Sequence, residues 1–137
     1  MTQQITREDI ARLLEEYQAI LEVISNLQAQ LAVINDTLDE LRTALDGIRS
    51  LDQQPADRYV HVGAGFFMRA TVEVAEILTP LGASYYAFLD RQNAERIINE
   101  RMSELGKVKA SIENNLAKLN ERAFQIRDVL ERLGLVR

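Results

Sequence analysis

The sequence predicts an α+β fold: a long antiparallel coiled-coil hairpin of two helices, joined by two β-hairpins. Three observations carry this. Residues 6–51 and 90–133 repeat apolar side chains at steps of three and four, the spacing of a coiled-coil seam. Between them, residues 58–89 change to the every-other-residue rhythm of strands, with glycines between the apolar runs. The length of 137 residues fits one domain spanning 1–137.

The first helix opens at Thr6, whose hydroxyl can accept from backbone N–H groups, with Asp9 three residues on. Its seam is Ile10, Leu13, Tyr17, Ile20, Ile24, Leu27, Leu31, Ile34, Leu38, Leu41, Leu45 and Ile48, without a miss. At the rise of an α-helix this is a rod of about 65 Å. Gly47 and Asp52-Gln-Gln-Pro55 mark its end. The second helix is expected to start after Asp90 as N-cap and to run to Leu133, with Gly134 just past its end. Its seam runs Ile98, Met102, Leu105, Lys109, Ile112, Leu116, Leu119, Ala123, Ile126, Leu130 and Leu133. Lys109 and Ala123 weaken it; the lysine either fixes register or snorkels to water. Gly106 is a soft spot inside the helix. Two helices of matched length fold back most simply as an antiparallel pair, which brings both chain ends to one tip, away from the strands.

The middle segment reads as two hairpins. Tyr59–Val62 and Phe66–Val72 flank a Gly63-Ala-Gly65 turn; Glu76–Thr79 and Ser84–Phe88 flank a Pro80-Leu-Gly82-Ala turn. Phe66 and Phe67 fall on opposite faces, as do Tyr85 and Tyr86. A four-stranded sheet of this size cannot cover both faces with its own chain, so its strands are expected to pair or pack with other subunits.

Charge and composition narrow the function. Residues 1–54 carry four Lys/Arg against ten Asp/Glu, whereas residues 93–137 carry nine against seven, so the helices are complementary neighbours. The net charge of −5 opposes nucleic-acid binding. No apolar run reaches a membrane span, and Met1-Thr-Gln-Gln lacks a signal-peptide core, which suggests a soluble intracellular protein. Cysteine is absent, which removes disulfides, thiolate metal sites and thiol nucleophiles. The single histidine, His61, has no second histidine to share a metal or build a triad. Gly63-Ala-Gly65 is followed by strand residues instead of a helix N-terminus, and Gly106-Lys107 lies inside a helix, so neither is a phosphate loop. The acidic pairs Glu8-Asp9, Glu15-Glu16 and Asp39-Glu40 read as solvated helix faces. No enzyme and no cofactor are expected.

What remains is apolar surface. Ile5, Leu14 and Leu21 lie off the first seam, and Leu135 and Val136 follow Gly134, which concentrates apolar side chains at the tip.

Helix, two hairpins and helix in this order resemble the alpha class of the prefoldin family, of archaeal type. Val60-His-Val-Gly-Ala-Gly-Phe-Phe67, Ile77-Leu-Thr-Pro-Leu-Gly-Ala-Ser-Tyr-Tyr86 and the helix start Asp90–Ile98 carry the resemblance. Two hairpins mark the alpha class, since the beta class has one. The chain departs from the family's common Pro-Leu-Gly-Ala-Gly at His61-Val62, and Ser84 stands where a glycine is usual. The resemblance implies a cytoplasmic hexamer with prefoldin beta subunits, two alpha and four beta, whose hairpins close β-barrels. It also implies an ATP-independent co-chaperone that holds non-native clients at the coil tips and passes them to a group II chaperonin. The expected subunit interface is Val60, Val62, Phe66, Phe67, Ile77, Leu78, Tyr85 and Tyr86. The expected client contacts are Ile5, Ile10, Leu13, Leu14, Leu133, Leu135 and Val136. The rival readings are a coiled-coil adaptor for one folded partner and, more remotely, an RNA-binding helical arm.

Overall fold

The computed structural model describes residues 5–51, 56–73 and 76–135. In chain order the elements are α1 (Arg7–Arg49), β1 (Ala56–Gly63), β2 (Phe66–Val72), β3 (Ile77–Gly82), β4 (Tyr85–Leu89) and α2 (Arg91–Arg132). Asp52-Gln-Gln-Pro55, read above as the helix stop, falls outside the described residues.

The helix ends follow from local chemistry. Thr6 caps α1: its hydroxyl accepts from the Asp9 N–H at 3.2 Å, and the Asp9 carboxylate accepts from the Thr6 N–H at 3.1 Å. The bond from the Thr6 backbone holds the Asp9 carboxyl below its usual range, with the nearby Thr6 side chain adding to the effect. Asp90 caps α2 by accepting from the Asn93 N–H at 2.9 Å. At the other end Gly134 adopts φ 73°, Leu135 N–H donates to the Leu130 carbonyl and Gly134 N–H to that of Glu131, both at 3.0 Å. This is the Schellman pattern, and a residue without Cβ makes it at least cost.

The chain forms two compact units, Met1–Asp36 with Leu105–Arg137, and Thr37–Glu104. In the first, Ile20, Ile24, Ile112, Leu116, Ala123, Ile126 and Leu130 form the core, and Leu13, Leu14, Tyr17, Leu27, Leu31, Ile34 and Leu119 pack on it. These are seam positions apart from Leu14, so the heptad reading places the core correctly. Leu133 is the exception. It stands past the end of α2, 42 % exposed, because the chain has already turned into the Gly134 cap. Arg122 grips Glu16 with two bonds, Nε to Oε1 at 2.8 Å and a terminal nitrogen to Oε2 at 3.0 Å. Lys109 reaches out of the seam to within 3.9 Å of the Glu113 carboxylate.

In the second unit Leu38, Leu45, Ala94 and Ile98 are buried. Arg91 donates to the carbonyls of Leu51 at 2.7 Å and Arg49 at 3.2 Å, so a cation satisfies carbonyls at the C-terminal end of α1. Arg58 donates to the Ser50 carbonyl, and Arg101 on α2 donates to the Pro80 carbonyl.

The strands form two separate antiparallel pairs, β1 with β2 and β3 with β4, the two hairpins expected from the sequence. Each pair reaches a two-residue turn after a one-residue bulge, between His61 and Gly63 in the first and between Pro80 and Gly82 in the second. The turn residues Ala64 (φ 48°) and Gly65 (φ 81°) are matched by Ala83 (φ 50°) and Ser84 (φ 65°). Two central residues at positive φ are what a type I′ turn demands, and that turn follows the twist of the strands. The second turn therefore lies at Ala83-Ser84, later than the Pro80-Leu-Gly82-Ala reading, and β3 runs on through Gly82.

Candidate functional site: hairpin faces and coil end

Hairpin register sorts the side chains onto faces. On the second hairpin, Leu78 pairs with Phe88 and Pro80 with Tyr86, so these four share one face, and all are exposed. Ile77, Ala87 and Leu89, half-buried, and Thr79, buried, share the other. Thr79 satisfies its hydroxyl within its own strand by donating to the Ile77 carbonyl at 2.9 Å. The inner face is thus covered by the chain itself, whereas the outer one presents two aromatics, a leucine and a proline to solvent.

The first hairpin is less one-sided. Val60, Phe66, Met68, Ala70 and Val72 share one face with Arg58. Asp57, Tyr59, His61, Phe67, Arg69 and Thr71 share the other. There the Thr71 hydroxyl donates to Asp57 Oδ1 at 3.0 Å, and the His61 ring lies tilted on Phe67 with centroids 5.1 Å apart. Phe66 is 70 % exposed, and Phe67, Met68 and Tyr59 are also exposed.

Of the expected interface residues, Val60, Val62, Phe66, Phe67, Leu78, Tyr85 and Tyr86 are exposed, and Ile77 is half-buried on the inner face. Exposed Tyr59, Met68, Leu81 and Phe88 were not anticipated. Phe88 had a sequence signal, since it alternates with Tyr86 on one strand. Leu81, like Val62, is the bulge residue of its hairpin, and bulges leave no periodic trace.

At the end of the coil that carries the Thr6 and Gly134 caps, Ile5, Leu133 and Leu135 are exposed, while Ile10, Leu13 and Leu14 are half-buried. Leu13 and Leu14 pack on the core. Val136 lies outside the described residues. Further along the coil, Leu21 and the 71 % exposed Phe124 flank an open groove of about 230 Å³ with Tyr17, Ile24, Asn120, Ala123 and Arg127. The small Ala123 in the seam leaves that space.

The charged groups of the coil serve structure. Arg122 lowers the Glu16 carboxyl below its usual range by hydrogen bonding, and Glu16 raises Arg122 in return. Among the described residues no group of three or more His, Cys, Asp or Glu could hold a metal ion, and no helix is long and apolar enough to cross a membrane.

The family model for the prefoldin subunit matches residues 7–134, which includes both helices and both hairpins. The chain belongs to the prefoldin family. It is 56 % identical over 131 residues to the prefoldin subunit alpha of Pyrobaculum calidifontis, covering 96 % of this chain and 98 % of that one. The alpha subunit of Sulfurisphaera tokodaii is more distant, at 29 % over 120 residues, covering 86 % and 80 %. A filamentous prefoldin from Methanocaldococcus jannaschii, solved by electron cryomicroscopy, shares the fold with a TM-score of 0.68 at 22 % identity, over 86 % of this chain and 98 % of that one. Prefoldin is a chaperone family and not a known enzyme family, so the chemistry to explain is that of exposed apolar surface.

Proposed function

We propose that this prefoldin chain is a subunit of an ATP-independent holdase, joined through its hairpins to prefoldin beta subunits in a cytoplasmic hexamer of two alpha and four beta chains. The observation that carries the reading is the bare outer face of the second hairpin, Leu78, Pro80, Tyr86 and Phe88. A two-stranded hairpin is marginal on its own in water, and here the two do not pair with each other. Burying one large apolar side chain is worth about 1.5–3 kcal/mol, so closing these faces into barrels with other subunits supplies the missing stability.

Clients are held at the coil end. Ile5, Leu133 and Leu135 are exposed there and are the first contacts; Ile10, Leu13 and Leu14 are half-buried and join when the end splays, and Val136, next in sequence to Leu135, is assigned to the same client contacts. Each contact is weak. Several coils acting on one unfolded chain raise the local concentration of apolar surface and give avidity without nucleotide. Release to a group II chaperonin follows from the same weakness.

The test is the double variant Leu133→Ser/Leu135→Ser, assembled with a one-hairpin prefoldin partner. It should keep the mass of the wild-type complex and lose much of the suppression of aggregation of a denatured client without ATP. Unchanged suppression would refute the assignment of the coil end.

A further inference from the structure

We propose that His61 makes assembly of this subunit sensitive to acid: the complex takes the neutral imidazole, and protonation of the ring opposes it. The inference rests on the assembly reading above and adds its regulation. His61 is the chain's only histidine, and a histidine ordinarily changes charge between about pH 5 and 8. Register sets it opposite Phe67, and the two rings lie tilted by 57° with centroids 5.1 Å apart. Both side chains are exposed, and Phe67 is one of the expected interface residues. A partner surface that covers the Phe67 ring therefore covers the imidazole with it, and removes the water that would solvate a charge there.

The hairpin supplies no counter-charge at that place. On this face β2 contributes Arg69, which pairs with Tyr59 and stands diagonally from His61, roughly 7–8 Å away by strand geometry. The Asp57 carboxylate lies four residues along β1, roughly 13 Å away, and already accepts from Thr71. Glu73 comes after the end of β2, and Arg58 stands on the opposite face with its bond to the Ser50 carbonyl. Among the described residues β1 and β2 pair only with each other. A covered imidazolium would thus have a cation as its nearest charged neighbour in the hairpin. The Phe67 ring attracts a cation in the free hairpin too, so it adds little to the difference between the free and assembled states. Because the covered place takes the neutral ring, assembly releases the proton that the free hairpin holds, and the complex weakens as pH falls. A histidine ordinarily takes its proton near about pH 6.5, so at about pH 5.5 the loss is roughly tenfold in dissociation constant for each such subunit.

The test is the affinity of this chain for a one-hairpin prefoldin partner, by light scattering on dilution at about pH 7.5 and about pH 5.5, for wild type, His61→Phe and His61→Arg. Wild type should weaken in acid by about tenfold per subunit. His61→Phe should bind with nearly the same affinity at both values, and His61→Arg, with its permanent charge, should bind weakly at both. Equal weakening of wild type and His61→Phe, or a wild-type complex that does not weaken in acid, would overturn the proposal while leaving assembly itself standing. A tighter wild-type complex in acid, as a partner carboxylate facing the ring would give, would do the same, as would a His61→Arg complex as tight as wild type at neutral pH. Failure of wild type to assemble at neutral pH would overturn both readings.

Discussion

The paired turns offer an internal control for backbone strain. Gly65 and Ser84 occupy the same turn position at φ 81° and 65°, one without a Cβ and one with it. An L-residue in that region costs roughly 1–2 kcal/mol. Glycine costs roughly 0.5–1 kcal/mol through the freedom it has when unfolded. Ser84→Gly should therefore stabilise the second hairpin by about 0.5–1 kcal/mol, and Gly65→Ser should destabilise the first by a similar amount. No heavy atom lies within 4 Å of a Cβ built on Gly65, so no clash adds to that figure. The assay is native-state hydrogen exchange at Ala87 and Met68, whose amides face their partner strands. The account expects Ala87 to slow and Met68 to quicken, each by about two- to fivefold. Faster exchange at Ala87 in Ser84→Gly, or no change at Met68 in Gly65→Ser, would refute the argument from φ.

Three further outcomes follow from packing and charge. Leu130 is 0 % exposed, so Leu130→Ala should cost about 2–5 kcal/mol in urea unfolding, whereas the solvent-facing Phe124→Ala should stay within about 0.5 kcal/mol. A Cβ on Gly106 meets nothing within 4 Å, and Gly106→Ala should raise stability by about 0.5–1 kcal/mol, visible as a higher melting temperature of the helical signal. Glu16 has a lowered pKa, chiefly through its bond from Arg122, so its stabilisation is full above the unfolded value of about 4.3 and is lost as pH falls through the folded value. The melting-temperature gap between wild type and Glu16→Gln should therefore be present at neutral pH and close on acidification below about pH 4. A gap that widens on acidification would reverse the sign.

Much of this architecture was legible because it rests on periodicity and on end chemistry. Ile20, Ile24, Ile112 and Leu116 announce the coil core by spacing, and Thr6, Asp90 and Gly134 announce its ends by the side chains that can cap a helix. The faces of the second hairpin were not legible in the same way. Ile77 and Leu78 are both aliphatic, as are Phe88 and Leu89 both apolar, so alternation gives no hint of which face the chain covers. The bulges at Val62 and Leu81 shift the phase of their strands without any marker in composition. Arg91, Arg101 and Arg58 act over sequence separations of 40, 21 and 8 residues on carbonyl groups that no sequence pattern exposes.

The most direct test of the account is the mass of this chain by light scattering, alone and after co-expression with a one-hairpin prefoldin subunit, before and after the change Leu78→Ser/Phe88→Ser. The account predicts a hexamer with the partner, and its loss when the bare face of the second hairpin is made polar. A hexamer that survives both serines unchanged would contradict the claim that this face joins the subunits.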